Sequence, residues 1–267
     1  MNWLRISLSS LVVLGAVVAL WLAGAGASSK ITLTNARASV HNMDGAEAIA
    51  VTLDISNQGD ADRVIFASSP DAKLAIFHGV TDLSGAPVPA GATPSLSLDG
   101  AHIMLLGVKG DLVDGRLIPL TVSFANAGDV STKATLSVAA GAMDMSGQGM
   151  THSVDHAGGL TMPTDSAPRV SVRADPADGG AWRIITSTDR FTFAPAAMDG
   201  AHVVGEGHGH LYIGGLKIMR MTSHEVVIGA LPPGRHEVRI TLNTNNHMVY
   251  RTDEGPVSAT TFIDVPD

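Results

Sequence analysis

The sequence AIAVTLDI, at residues 48–55, alternates large apolar side chains with small or polar ones. Because successive side chains of a β-strand point to opposite faces, this period of two predicts a strand with one buried face. Similar short runs, separated by turns rich in Gly, Asp, Asn and Pro, recur at residues 63–67, 73–77, 103–108, 117–124 and 134–138. Runs spaced in this way are typical of an antiparallel sandwich or barrel.

The same pattern returns in the second half of the chain, with short runs at residues 170–172, 182–185, 191–193, 210–213, 226–228, 236–242 and 260–265. Between the halves, residues 139–168 lose the periodicity and are rich in Gly, Ser, Thr, Asp and Pro, a composition typical of a linker. We therefore predict an all-β protein. Two antiparallel β-sandwich domains, cupredoxin-like or Ig-like, would occupy residues 28–138 and 169–267 and be joined by a flexible linker at 139–168.

The N-terminus has the pattern of a secretory signal: Arg5 in a short polar start, an apolar run over residues 11–22, and then Ala25-Gly26-Ala27. The apolar run is short for a membrane-spanning helix, which needs about 20 residues. Residues 1–27 are therefore predicted to be a signal peptide, with an uncleaved membrane anchor as the alternative. Contact with a membrane is expected only if this segment is retained.

Composition excludes several classes of function. The 267 residues carry a formal net charge of −8, which argues against a protein that neutralises nucleic-acid phosphates. There is no cysteine, which excludes thiolate catalysis and every cysteine-based zinc, iron–sulfur or blue-copper site. Imidazole and thioether remain for soft-metal chemistry, and the chain has 11 His and 11 Met.

The first candidate metal site combines His78, His102 and Met104. Residues i and i+2 of a strand share a face, so His102 and Met104 would present imidazole and thioether side by side. His78 ends the run at residues 73–77 and would lie at the rim of the core. This ligand set favours Cu(I). A histidine next to an ordinary core methionine would produce the same spacing.

Residues 30–138 resemble the periplasmic copper chaperone domain, PCuAC. The similarity is carried by ITLTNARA at residues 31–38, DISNQGD at 54–60, ASSP at 67–70 and above all DGAHIMLLGVK at 99–109. The resemblance implies a periplasmic chaperone that holds Cu(I) and delivers it towards the CuA centre of cytochrome c oxidase. A subunit of that oxidase, or another assembly factor, would then be the protein partner.

The resemblance also implies a ligand set of two His and two Met. His78, His102 and Met104 match three of those positions, but Gly79 stands where a Met often follows the first His, and no Met lies between His78 and His102. The fourth ligand would then come from elsewhere. His41 or Met43, in the predicted turn HNMDG at residues 41–45, is the candidate, and a solvated turn is the alternative.

The predicted linker is a second candidate for copper binding. A linker has no core in which to bury methionine, yet this one is rich in Met and His. Capture of copper ions explains that clustering, and compositional drift is the alternative. The residues are Met143, Met145, Met150, His152, His156 and Met162.

Histidines of the C-terminal half form a third candidate. His208 and His210 would share one strand face, and His247 follows in the segment LNTNNH at residues 242–247. A His-x-His pair with a distant His suits Cu(II), or zinc if a carboxylate joins. Histidines on a solvated strand face are the alternative, and His236 is predicted to be such a surface residue.

The function predicted from these patterns is copper binding and transfer without catalysis. A periplasmic copper buffer that sequesters the ion, with no dedicated recipient, is the main alternative. Copper/zinc superoxide dismutase chemistry is disfavoured because its further ligands and cysteines are missing. Hydrolysis is disfavoured because the chain has neither a Gly-x-Ser-x-Gly elbow nor a His-Glu-x-x-His motif.

Overall fold

The computed structural model describes residues 30–43, 46–138, 143–144 and 159–266. The predicted signal segment, residues 1–27, lies outside the described residues. Within the described ranges, no helix combines the length and the apolar character needed to cross a bilayer.

Nine strands form the described part of the N-terminal half. They are β1 (Ile31–Met43), β2 (Ala46–Asn57), β3 (Asp62–Ser68), β4 (Leu74–His78), β5 (Ala86–Val88), β6 (Ser95–Leu96), β7 (His102–Leu106), β8 (Leu117–Phe124) and β9 (Gly128–Ser137). The predicted period of two is visible in their burial. In β8, Ile118, Leu120, Val122 and Phe124 are buried while the residues between them are half-buried.

Twelve strands and two short 3₁₀ helices follow in the described residues. The strands are β10 (Met143–Asp144), β11 (Leu160–Thr161), β12 (Arg169–Pro176), β13 (Trp182–Asp189), β14 (Thr192–Phe193), β15 (Glu206–Ile213), β16 (Leu216–Met221), β17 (Glu225–Ile228), β18 (Gly234–Thr244), β19 (Tyr250–Thr252), β20 (Gly255–Pro256) and β21 (Ser258–Val265). The 3₁₀ helices span Asp178–Gly180 and Pro195–Ala197. The all-β prediction is confirmed.

One large sheet runs through both halves of the protein. Its order is β21-β18-β15-β16-β6-β2-β1-β9-β8-β3-β5, with β4 and β7 attached beside β2. Two three-stranded sheets, β11-β19-β20 and β12-β13-β17, complete the C-terminal half. One continuous cluster of buried apolar residues extends through both halves, so the halves share a core.

The two halves meet at the short strand β6. Ser95 pairs with Asp54 of β2 on one side and with Lys217 of β16 on the other. Beside it, the Ala101 amide donates to the Gly215 carbonyl at 2.7 Å. A Cβ atom at Gly215 would come within 1.9 Å of the Gly79 carbonyl oxygen. Only glycine permits so close an approach of the two backbones.

Part of the predicted linker is packed onto the C-terminal half. Leu160 pairs with Tyr250, Met162 lies against the core and Ala167 is buried. Residues 159–168 of the predicted linker therefore contact the C-terminal half, because their apolar side chains pack on a surface that the local sequence does not reveal. Residues 139–142 and 145–158 lie outside the described part of the chain.

Candidate functional site

The strand register brings His78 and His102 together. β4 pairs antiparallel with β7, and His78 lies directly opposite His102. The centroids of the two imidazole rings are 4.9 Å apart. His78 is exposed, whereas His102 is only 1% exposed. One imidazole of the pair is therefore exposed to solvent, and the other is buried in the sheet.

A backbone carbonyl orients His102. Its Nδ1 lies 3.1 Å from the carbonyl oxygen of Gly100. A carbonyl only accepts hydrogen bonds, so this contact assigns the proton to Nδ1 and the lone pair to Nε2. A hydrogen bond of this kind fixes ring orientation in many metal-binding histidines.

Met104 shares the face of His102 in β7 and lies opposite Ile76 of β4. It is 1% exposed and packs in a small apolar cluster with Ala48 and Ala50. This cluster lies apart from the main core. Met104 thus helps to pack the sheet on the face that it shares with His102.

His41 and Met43 are not brought to this pair. His41 lies opposite Ala48 of β2, and Ala48 in turn lies opposite Leu106, four residues beyond His102. Two strand spacings and four residues correspond to roughly 10 Å across the sheet and roughly 13 Å along it. His41 is buried, with Nε2 2.8 Å from the Ser39 hydroxyl. Met43 lies still further along the strand, opposite Ala46.

The linker candidates are only partly described. The backbone of Met143 pairs with that of His41, so the first methionine of the linker runs beside the end of β1. Met162 packs against the core, as described above. Met145, Met150, His152 and His156 lie outside the described residues, and their copper binding stays a prediction.

His208, His210 and His247 form a compact cluster in the C-terminal half. Each offers a ring nitrogen, and the three atoms lie within 4.8 Å of one another. Nε2 of His208 is 3.0 Å from Nε2 of His210, and the ring centroid of His247 is 4.8 Å from that of His208. All three residues are buried. The alternative of histidines on a solvated strand face is therefore wrong.

Two aspartate carboxylates are hydrogen-bonded to ring nitrogens of His210 and His247. Nδ1 of His210 is 2.9 Å from Oδ2 of Asp99, and Nε2 of His247 is 2.5 Å from Oδ1 of Asp199. Asp99 comes from the N-terminal half, in the loop between β6 and β7. The site is therefore completed by a residue that is 111 positions away in the sequence.

Asp99 is the centre of a buried polar network. Its Oδ2 also accepts from the Tyr212 hydroxyl at 2.8 Å and from the Lys217 ammonium at 2.9 Å. Its Oδ1 accepts from the Ser97 hydroxyl at 2.6 Å. Burial opposes ionisation of Asp99, but the hydrogen bond from His210, the Lys217 charge and the hydrogen bond from Ser97 outweigh it and hold the pKa of Asp99 well below its usual range.

The pKa shifts of His208 and His210 favour their neutral forms. Burial, reinforced by the neighbouring rings of His210 and His247, lowers the pKa of His208 to about 3. Burial also lowers the pKa of His210, although its hydrogen bond to Asp99 acts in the opposite direction. Neutral imidazoles keep the lone pair that a metal ion requires.

His236 is buried, so its prediction as a surface residue is wrong. Its side chain is 0% exposed, and Nε2 donates to the Pro232 carbonyl at 2.7 Å. Burial lowers the pKa of His236. The turn at residues 232–234 indicated a solvent-exposed position, but β18 lies between β15 and β21, which the local sequence does not reveal.

Gly79 explains why no methionine follows His78 here. Gly79 has φ +78°, and a Cβ atom would lie 2.6 Å from the Gly100 carbonyl oxygen. The PCuAC resemblance leads us to expect a methionine at this position. The loop that also carries Asp99 leaves no room for its side chain.

We expect Gly79→Ala to lower the free energy of unfolding by at least about 2 kcal/mol, through left-handed backbone strain and the close contact. Gly115 is the matched control, because it has φ +79° and a Cβ atom added there would meet no atom within 4 Å. Gly115→Ala should cost only the strain, about 1–2 kcal/mol. Urea unfolding measures both, and equal losses would refute the steric account.

Comparison with known proteins concerns mainly the N-terminal half. Residues 31–136 match the family described as "Putative lipoprotein LpqE-like". The N-terminal half is similar to this family. A curated relative, "Putative lipoprotein Lxx21020" of Leifsonia xyli subsp. xyli (strain CTCB07), is 31% identical over 93 residues, which are 31% of this chain and 56% of that protein. The chain thus spans about half the length of that relative.

Solved structures similar to this chain include PCuAC domains. The copper-bound PCuAC domain from PmoF2 has a TM-score of 0.37 and 20% identity, and covers 42% of this chain and 97% of its own. The apo PCuAC domain from PmoF1 has a TM-score of 0.36 and 24% identity, over 41% of this chain and 94% of its own. A protein of unknown function from Porphyromonas gingivalis W83 covers 88% of this chain and 100% of its own, with a TM-score of 0.24 and 12% identity.

Proposed function

We propose that this protein is an exported copper-binding protein that holds Cu(I) between His78, His102 and Met104 and passes it to a recipient. The observation that carries the proposal is the pairing of His78 with His102 across β4 and β7, with ring centroids 4.9 Å apart and Met104 on the same face. Two imidazoles and one thioether form a ligand set that favours Cu(I) over harder ions.

The position of the histidine pair suits transfer by ligand exchange. Among the described strands, β4 pairs only with β7, and His78 at its end is exposed. An incoming ligand can therefore approach the copper ion from the His78 side while His102 still holds it from within the sheet. No bond in a substrate has to be made or broken, and we assign the protein no enzymatic activity.

The recipient that we propose is the CuA centre of cytochrome c oxidase, through an oxidase subunit or another assembly factor. The resemblance of residues 30–138 to PCuAC domains supports this assignment. The signal pattern at residues 1–27 and the lipoprotein names of the matching family and relative support export to the periplasm. A copper buffer with no dedicated recipient is the second candidate, favoured by the Met- and His-rich segment at residues 143–156.

Anaerobic titration of Cu(I) against a chromophoric chelator tests the binding site. We expect His102→Ala to weaken Cu(I) binding by more than the roughly 10–100-fold that loss of a residue supporting a metal ligand costs. Met104→Leu keeps the volume of the apolar cluster but removes the sulfur, so it should weaken Cu(I) binding without unfolding the sheet. The exposed His224 provides the control His224→Ala. Wild-type affinity in both His102→Ala and Met104→Leu would refute the site.

Copper transfer distinguishes the chaperone from the buffer. Cu(I)-loaded protein mixed with an apo CuA domain should lose one copper ion to it, and His78→Ala should slow the exchange because the exposed ligand is missing. Retention of copper by the loaded protein, with several ions bound per chain, would favour the buffer and reject delivery.

A further inference from the structure

The cluster of His208, His210 and His247 uses residues that are separate from the proposed Cu(I) site. We propose that it is a second metal site, which binds a divalent transition-metal ion, Zn(II) or Cu(II), through three imidazole nitrogens. The three nitrogens lie within 4.8 Å of one another in a buried position. Ions of this class are commonly bound by three histidines with a fourth position left open.

The hydrogen bonds to Asp99 and Asp199 determine which ring nitrogen of His210 and of His247 carries the lone pair. Asp99 accepts the Nδ1 proton of His210, so the lone pair of His210 is on Nε2. Asp199 accepts the Nε2 proton of His247, so the lone pair of His247 is on Nδ1. In metal sites, a carboxylate commonly holds the outer nitrogen of a ligating histidine in this way.

Two ring nitrogens of the cluster are buried without a hydrogen-bond partner in the described part of the chain, and Nδ1 of His208 is one of them. Nδ1 of His247 is buried and has no hydrogen-bond partner there. A buried polar atom without a partner costs about 1–3 kcal/mol, and a bound cation would remove that cost. His247 also has a φ of +67°, a left-handed conformation that is uncommon outside glycine. The same residue thus combines backbone strain with an unused ligand atom.

The spacing of the other two nitrogens fits a shared ion. Nε2 of His208 and Nε2 of His210 are 3.0 Å apart. Two nitrogens at 2.0–2.1 Å from a tetrahedral ion are separated by about 3.3 Å. In the metal-free protein His208 donates its Nε2 proton to His210. When the ion binds, this proton moves to Nδ1 of His208, which has no hydrogen-bond partner in the described part of the chain, so that a neutral imidazole binds the ion through Nε2.

The ligand set favours a divalent ion over Cu(I). In the pairing of β15 with β16, Arg220 lies opposite His210, while Met221 lies opposite Gly209. Met221 therefore faces away from the histidines, and no thioether of β16 joins them. The cationic neighbours are neutralised, since Lys217 is 2.9 Å from Asp99 and Arg220 is 3.6 Å from Asp199. Neutral nitrogen ligands in a charge-balanced site suit Zn(II) and Cu(II).

Titration of the full chain with Co(II) tests this site, because four-coordinate Co(II) absorbs strongly in the visible region. We expect one equivalent to bind, Zn(II) to displace it, and His247→Ala to lower the affinity at least 100-fold. Cu(II) added in place of Co(II) should give an electron paramagnetic resonance spectrum with nitrogen coupling. Competition between Zn(II) and Cu(II) then identifies the preferred ion.

Asp199→Asn separates a loss of metal binding from a loss of folding. The Asp199 side chain is 66% exposed, so its substitution should leave the fold intact. This variant should bind Co(II) about 10–100-fold more weakly. His224→Ala is the matched control outside the cluster, because His224 is exposed, and it should bind Co(II) like the wild type. Unchanged Co(II) affinity in both His247→Ala and Asp199→Asn, or no Co(II) uptake by the wild type, would overturn the proposal. These Co(II) measurements do not depend on Cu(I) binding at His102, so the two proposed sites can fail separately.

Discussion

Asp99→Ala should destabilise the metal-free protein by about 3–5 kcal/mol, because it leaves a buried ammonium and a buried imidazole without their acceptor. Lys217, Tyr212 and His210 all direct a proton at Oδ2 of Asp99. The carboxylate also ties the loop before β7 to β15 and β16 of the other half. Loss of this group therefore weakens the junction as well as the local network.

Urea unfolding in the presence of a chelator measures this loss, with Trp182 fluorescence as the readout. Trp182 lies in β13 and packs against the shared core. The surface pair of Arg183 and Glu225 supplies the control, since its side chains are 48% and 53% exposed. Glu225→Ala should cost less than about 1 kcal/mol. An equally small loss for Asp99→Ala would contradict the account of the network.

Acid should unfold the metal-free protein well above the pKa of ordinary carboxylates, because His208, His210 and His236 are buried in the neutral form. The pKa of each is lowered in the folded state, to about 3 for His208. The unfolded chain therefore binds more protons below about pH 6.5, and folding stability falls as the pH falls. Each histidine that stays neutral in the folded state contributes about 1.4 kcal/mol per pH unit to that fall.

The slope of unfolding free energy against pH, between about pH 6.5 and 4.5 with a chelator present, tests this expectation. His236→Gln keeps a donor for the Pro232 carbonyl but cannot titrate. Its slope should be shallower than that of the wild type by up to about 1.4 kcal/mol per pH unit, whereas above about pH 7.5 the two curves should run parallel. Identical slopes at all pH values would show that His236 does not titrate with unfolding.

The alternation of apolar side chains was sufficient to predict the strands, because burial on one face of a sheet is a local property of the sequence. The pairing of His102 with Met104 on one face of β7 follows from the same period of two. The partnership of His78 with His102 depends instead on the antiparallel register of β4 and β7, which fixes them opposite each other.

The grouping of His208 with His210 was likewise visible in the sequence, and their spacing alone identified them as candidates. Neither Asp99 nor Asp199 could be found in this way, because they are brought to the cluster from 111 and 48 positions away. The position of His236 was predicted wrongly from the local sequence, and the packing of residues 159–168 was not predicted at all. Both depend on surfaces that other strands provide.

By itself the sequence determined the fold class, the absence of thiol chemistry and the histidine and methionine side chains available for metals. These properties follow from composition and from short-range periodicity. The tertiary structure alone decided that β6 joins the halves into one sheet and one core, and that Asp99 of one half holds His210 of the other. The physical reason is that strand pairing and ligand geometry arise between residues distant in the chain, whose approach no local pattern encodes.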